Sequence, residues 1–209
     1  MKKVKNSIKF KNRKKERFNL IKEYKKSFRY IYDSKNFIYT IILIFLIFSL
    51  FGFFVPASDE LTEKIYQFIE DLVKQTEDFD SSYDWISFIF LNNLQSSFIG
   101  MVSGIFPVIF PVIFSIVNAY ILGFVALITV NNEGFFVLWR LFPHGIFELP
   151  AIFISLGLGL KIGTFIFQKE KINSFREYIV NSLKTFILII IPLLIIAAII
   201  EGTLIFLAG

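Results

Sequence analysis

Apolar residues along this chain gather into long, nearly unbroken runs instead of alternating with polar ones. The clearest run covers residues 36–55, where only an occasional Tyr, Thr or Ser interrupts Phe, Ile and Leu before Pro56 ends it. An α-helix rises 1.5 Å per residue, so about 20 such residues match the roughly 30 Å hydrocarbon layer of a bilayer. Four more runs of comparable length follow at about 85–106, 108–130, 135–160 and 185–207. The pattern predicts an all-α fold, a polytopic transmembrane bundle of about five spans. Trp85 opens the second run as an interface-type aromatic, and Pro192 predicts a kink in the fifth.

The segments between the runs differ sharply from one another. Residues 1–35 carry 14 Lys and Arg against Glu16, Glu23 and Asp33, a net charge of +11. Within this arm Phe18, Ile21, Tyr24, Phe28 and Ile31 recur at three- and four-residue spacing, the stripe of an amphipathic helix. Residues 56–84 hold nine acids against Lys64 and Lys74, a net charge of −7. Leu61, Ile65, Phe68, Ile69, Leu72 and Val73 mark one helical face there, with Ser58 or Asp59 placed to cap it. Residues 161–184 form a basic loop, and Asn131-Asn132-Glu133-Gly134 a short turn. Residues 105–111 contain Pro107 and Pro111 but no charge, which fits either a re-entrant break shielded by protein or a tight apolar turn.

Composition agrees with this reading. Of 209 residues, 55% are apolar and 28 are Phe, more hydrocarbon than a water-soluble core of this size can hide. The formal net charge of +5 is therefore local, because everything after residue 35 is acidic on balance. Lys and Arg near the spans stay in the cytoplasm. With the arm inside, five crossings also bring the basic 161–184 segment inside and leave 56–84 outside. The expected localisation is the cell membrane, with a cytoplasmic N-terminus and an extracytoplasmic C-terminus. Val55-Pro56-Ala57 faintly resembles a cleavage site, but the polar leader is too long, so the first run is read as a retained anchor. The partners this predicts are the bilayer and, through the arm, anionic lipids; no nucleic-acid role is assigned.

Candidate chemistry is confined to polar residues inside the spans, where each is costly. They are Asn92 and Asn93 in the second span, Asn118 in the third, His144 and Glu148 in the fourth, and Glu201 in the fifth. His144 and Glu148 stand four apart, on one helical face. Three readings remain open: a cation site, a proton or substrate path through a transporter, and interhelical hydrogen bonds that fix packing. With no Cys, one His and no Gly-x-Ser-x-Gly elbow, no catalytic, cofactor or metal residue is assigned and the chain is read as a non-enzyme.

The hexad Pro143-His144-Gly145-Ile146-Phe147-Glu148 resembles the signature of the stage II sporulation protein M family of prokaryotic membrane proteins. The asparagine-bearing spans, with Asn92-Asn93 and Asn118 upstream of Gly123, are similar to that family over about residues 36–209. The resemblance implies a polytopic cell-membrane protein and marks Pro143, His144, Gly145 and Glu148 as motif residues without a catalytic role. It points to a scaffold or anchoring component, as in the named member, which recruits cell-wall hydrolases during engulfment in spore formers. The alternative is a permease or transporter subunit with a polar intramembrane path.

Overall fold

The computed structural model describes residues 19–55, 57–106, 108–136, 138 and 142–208, with 142–144 and 208 described by backbone alone. The helices are α1 (Leu20–Asp33), α2 (Lys35–Phe54), α3 (Asp59–Lys74), α4 (Ser82–Val102), α5 (Ile109–Glu133), α6 (Phe142–Gly163), α7 (Lys171–Thr185) and α8 (Ile191–Ala208). Among the described residues five segments are long and apolar enough to cross a membrane: Lys35–Phe54, Ser82–Ile105, Ile109–Glu133, Gly145–Phe167 and Lys171–Leu207. The last has 37 residues, about 55 Å of helix, so α7 extends well past what one crossing needs.

α6 occupies the centre. It packs on α2, α4, α5 and α8, while α2 pairs chiefly with α5 and α4 chiefly with α8. Every residue from Ser155 to Gly163 is buried. Met101 of α4, Ala151, Leu158 and Ile162 of α6, and Leu194 of α8 share one core with Tyr30 of α1. A second core joins Ile41 of α2 to Leu156 and Leu160 of α6. Helices pack this closely in lipid when small residues let backbones meet. A Cβ on Gly104 would overlap the Gly159 carbonyl, and one on Gly159 would lie 2.7 Å from the Gly100 carbonyl oxygen. The Ser155 hydroxyl adds a hydrogen bond across the same seam, donated to the Ser97 carbonyl.

Local signals explain the ends of the helices. Asn19 caps α1 by accepting from the Lys22 N–H at 3.1 Å, and Ser58 caps α3 by accepting from the Leu61 N–H at 3.3 Å. Ser81 and Asp84 form a reciprocal capping box that starts α4 at Ser82, three residues before Trp85. Gly134, with φ 84°, closes α5 by donating its N–H to the Val130 carbonyl at 2.8 Å. Pro111 sits in the first turn of α5, where its missing N–H costs little.

Several expected boundaries shift. Asn131–Glu133, expected in a turn, are the last residues of α5. The fourth span does not begin near residue 135: Phe135 and Phe136 are exposed in 3-10 geometry, and α6 starts at Phe142, where Pro143 falls in a tolerated first-turn position. Residues 161–184, expected as a loop, are largely helical. Lys161 to Gly163 finish α6, Thr164–Phe167 are a 3-10 turn, and α7 follows. The distortion expected at Pro192 takes the form of a π turn at Phe186–Ile190, which accommodates a proline unable to donate to the Leu188 carbonyl. Of residues 105–111, Ile105 ends a short 3-10 turn and Ile109 begins α5, so the described part is a tight connection; Pro107 lies outside the described residues.

The stripes read from the sequence coincide only in part with the sides that pack: Tyr24 and Ile31 of α1 and Ile65, Ile69 and Leu72 of α3 are buried or half-buried, and the other described members are exposed. In α1 the buried residues are Ser27, Tyr30 and, at the junction, Ser34, whereas Ile21 and Phe28 are exposed; Phe18 lies outside the described residues. In α3 only Ile65 is buried, and Leu61, Phe68 and Val73 are exposed. The Tyr66 ring touches the Phe124 ring of α5 edge-on. Replacing Gly159 by Val should destabilise the bundle by about 2 kcal/mol or more, because α4 has to move away. Thermal unfolding in detergent checks this; a change within experimental error removes the close approach as a stabilising feature.

Candidate functional site

The polar residues singled out from the sequence separate into different environments. Glu148 lies in the second turn of α6 and is 6% exposed. Gly145 is half-buried, and Pro143 and His144 occupy the first helical turn with side chains outside the described residues. α4 and α6 run parallel, with Ser155 opposite Ser97, so Glu148 comes level with about Phe90 of α4. α8 runs antiparallel to α4, and Gly202 abuts Ile86, so the half-buried Glu201 lies within about one turn of that level. The structure thus brings Asn93, Glu148 and Glu201 to the three mutually packed helices α4, α6 and α8.

Asn118 and Asn92 are not part of that arrangement. Asn118 is on α5, in the half of the bundle formed with α2, and its amide donates to the Phe114 carbonyl of its own helix at 2.8 Å. Asn92 is exposed on the outside of α4.

A second constellation was not recognised in the sequence. Lys161, counted there as a loop charge, is 8% exposed at the end of α6. Its ammonium donates to the Ser34 hydroxyl at 2.9 Å and stands 4.0 Å from the Tyr30 ring centroid and 5.5 Å from that of Tyr178. Aromatic faces attract a cation most strongly where water is excluded, by about 2 kcal/mol or more. Ser34 is the single residue between α1 and α2, and its hydroxyl donates to the Tyr30 carbonyl at 2.6 Å. The Tyr30 hydroxyl lies 3.3 Å from both the Ser182 Oγ and the Tyr178 carbonyl of α7, and burial pushes its phenol above the ordinary range. The one hint in the sequence is that the Leu-Gly alternation of α6 continues through Lys161 to Gly163 without a break.

An ion pair secures the other end of α1. Glu23 accepts from Lys184 of α7 at 2.7 Å and from Lys26 at 2.6 Å. These bonds, with Lys184 foremost, lower its carboxyl from the ordinary 4.5 to about 2. α1 is therefore strapped to α7 at Glu23 and pinned to α6 at Tyr30 and Ser34.

Comparison with known proteins places this architecture. The stage II sporulation protein M family matches residues 41–204, from the second turn of α2 to the last turns of α8. The chain belongs to the stage II sporulation protein M family. It is 33% identical, over 182 residues, to an uncharacterized protein of Methanocaldococcus jannaschii, covering 84% of this chain and 80% of that protein. No solved structure matches the chain. Family membership takes in all five spans and Lys161, whereas α1, with Tyr30 and Ser34, precedes the matched region.

Two outcomes are expected. In a double-mutant cycle of Tyr30→Leu and Lys161→Met, the coupling should be about 2 kcal/mol; additive effects on detergent unfolding would mean that ring and ammonium do not interact. For Glu23 the folded carboxyl is lowered, so its contribution to holding α1 is fully present above the ordinary carboxylate range and fades as pH falls toward about 2. Protease resistance of α1 should persist at pH 4 and drop in Glu23→Gln at neutral pH. Equal resistance of the two proteins at neutral pH would show that the strap contributes nothing.

Proposed function

We propose that this family member is a non-enzymatic scaffold or anchor of the cell membrane, one that presents charged elements on either side of a closely packed bundle. The reading is carried by the seam between α4 and α6. Gly100 and Gly104 meet Leu156 and Gly159, and Ser155 bonds to the Ser97 carbonyl, so the middle of the bundle is devoted to packing. Elements suited to meeting other molecules lie at its ends. α3 exposes Leu61, Tyr66, Phe68 and Val73 among its acids, and α1 exposes Leu20, Ile21, Phe28 and Tyr32 among basic residues. By the positive-inside rule the end bearing α1 and α7 is cytoplasmic, and α3 and the C-terminus are outside. The basic arm then lies on the anionic inner leaflet, where each nearby Lys or Arg contributes about 1 kcal/mol.

One observation favours a second reading. Glu148 is buried in a membrane-spanning helix, a setting in which carboxyls often serve proton-coupled transport. Proteoliposomes carrying the whole chain distinguish the two. For a scaffold, proton and cation leak should equal that of empty vesicles, and Glu148→Gln should change fold stability only. A gradient-driven flux that Glu148→Gln abolishes would establish the permease and overturn the scaffold.

A further inference from the structure

The outer side of α4 carries a feature that a solitary bundle does not account for. Asn92 and Gln95 are exposed three residues apart near the midpoint of the membrane-spanning segment Ser82–Ile105. Among the described residues neither side chain makes a hydrogen bond, although many other polar side chains in the bundle do. A carboxamide in the hydrocarbon layer finds no partner among lipid tails, and such groups generally face protein. Around them the surface is apolar and concave. Gln95 lines a groove with Leu91, Leu94, Phe98, Phe186 and Ile187, at the place where the π turn widens the last long helix beside α4. Leu91, Phe98 and Ile187 are each at least 42% exposed there.

We propose that this face of α4 is the interface with a second copy of the same chain, the two related by a two-fold axis along the membrane normal. The occupant follows from the chemistry. A carboxamide both donates and accepts, so it pairs with an identical carboxamide as readily as with any other group. An axis along the membrane normal sets two parallel α4 helices side by side and places like residues at the same depth. Asn92 then meets Asn92 of the second copy and Gln95 meets Gln95, as an isologous contact requires. Ile99 completes the stripe at i, i+3 and i+7 from Asn92, the geometry of a parallel helix pair with a polar pair fixing its register. The groove beside Gln95 receives the apolar side chains that flank the partner's stripe. The acidic and basic end segments offer no such self-complementarity, because each would meet its own charge.

The chain has no cysteine, so a single one reports on the contact without background. In native membranes of cells expressing the full chain, Ile99→Cys leaves both carboxamides intact. On mild oxidation it should form a disulfide-linked species of twice the mass. Val117→Cys, exposed on α5 away from this face, should not. Adding Asn92→Leu and Gln95→Leu to Ile99→Cys should lower the cross-linked fraction at matched expression by roughly tenfold, consistent with two interhelical amide pairs in a membrane. Absence of cross-linking at Ile99 overturns the proposal, as does equal cross-linking at Val117, which would indicate random collision. Undiminished cross-linking after both carboxamides are replaced overturns it as well. Native mass spectrometry of the unmutated protein gives a reading independent of any variant. A dimer mass supports the interface, and a monomer carrying only lipid overturns it.

Discussion

The bundle is organised by how little room surrounds the second half of α6. A helix buried on every side needs neighbours that approach its backbone, and lipid supplies no hydrophobic force to press them together. What remains is close van der Waals contact, which grows steeply as backbones draw near. Gly157 against Ile38, Gly159 against Met101 and Gly163 against Val108 let three different elements approach at once. Each contact sets the height of a neighbour relative to α6, so α2, α4 and the start of α5 take their register from one helix.

That register has an electrostatic consequence. The packing that buries Gly159 and Ile162 carries Lys161 into the same enclosure, and an isolated ammonium out of water costs several kcal/mol. Two tyrosine rings and a serine hydroxyl answer the charge, and two of these three groups, Tyr30 and Ser34, come from the segment leading into the first span. α1 is thereby tied to the end of the central helix although it lies outside the region that defines the family. The strap from Glu23 to Lys184 then fixes its direction along α7. An element that looks peripheral in the sequence is held by the most deeply enclosed charge at that end of the molecule.

The sequence revealed much of this and concealed the rest for identifiable reasons. Runs such as 36–55 were legible because only a bilayer-crossing helix satisfies every backbone group in so long an apolar stretch. The start of the fourth span was not, because Phe135 and Phe136 are as apolar as anything in a span, and only the break at Gly134 separates them from a helix. Lys161 was misplaced for the opposite reason: hydropathy treats any lysine as a boundary, and the ring nearest to it, that of Tyr30, is far away in the chain. The amphipathic stripes of α1 and α3 gave the helices and only part of the packed side: Ile65, Ile69 and Leu72 of α3 turn inward, whereas Leu61, Phe68 and Val73 do not. In α1 that side centres on Tyr30, which joins the core and bonds to α7, and on Ser34, which accepts from Lys161 of α6. Helix pairing was the least legible feature. Nothing in the spacing of Asn118 tells that its helix joins α2 while Asn93, Glu148 and Glu201 share α4, α6 and α8.

Polar residues within the spans therefore do not form one class, and the distinction bears on what they do. Asn118 and Thr129 bond to carbonyls one turn back in their own helix, which satisfies them without any neighbour. Such residues are tolerated passengers of a span. Ser155 bonds across to another helix, and Glu148 is buried in α6; both need the bundle assembled around them. Asn92 and Gln95 belong to neither group, since they are on the lipid side of α4 at mid-depth. The first two classes are accounted for by a single chain in a membrane. The third is accounted for only when something besides hydrocarbon lies against it, and a surface that is apolar except for two self-pairing amides is best completed by its own copy.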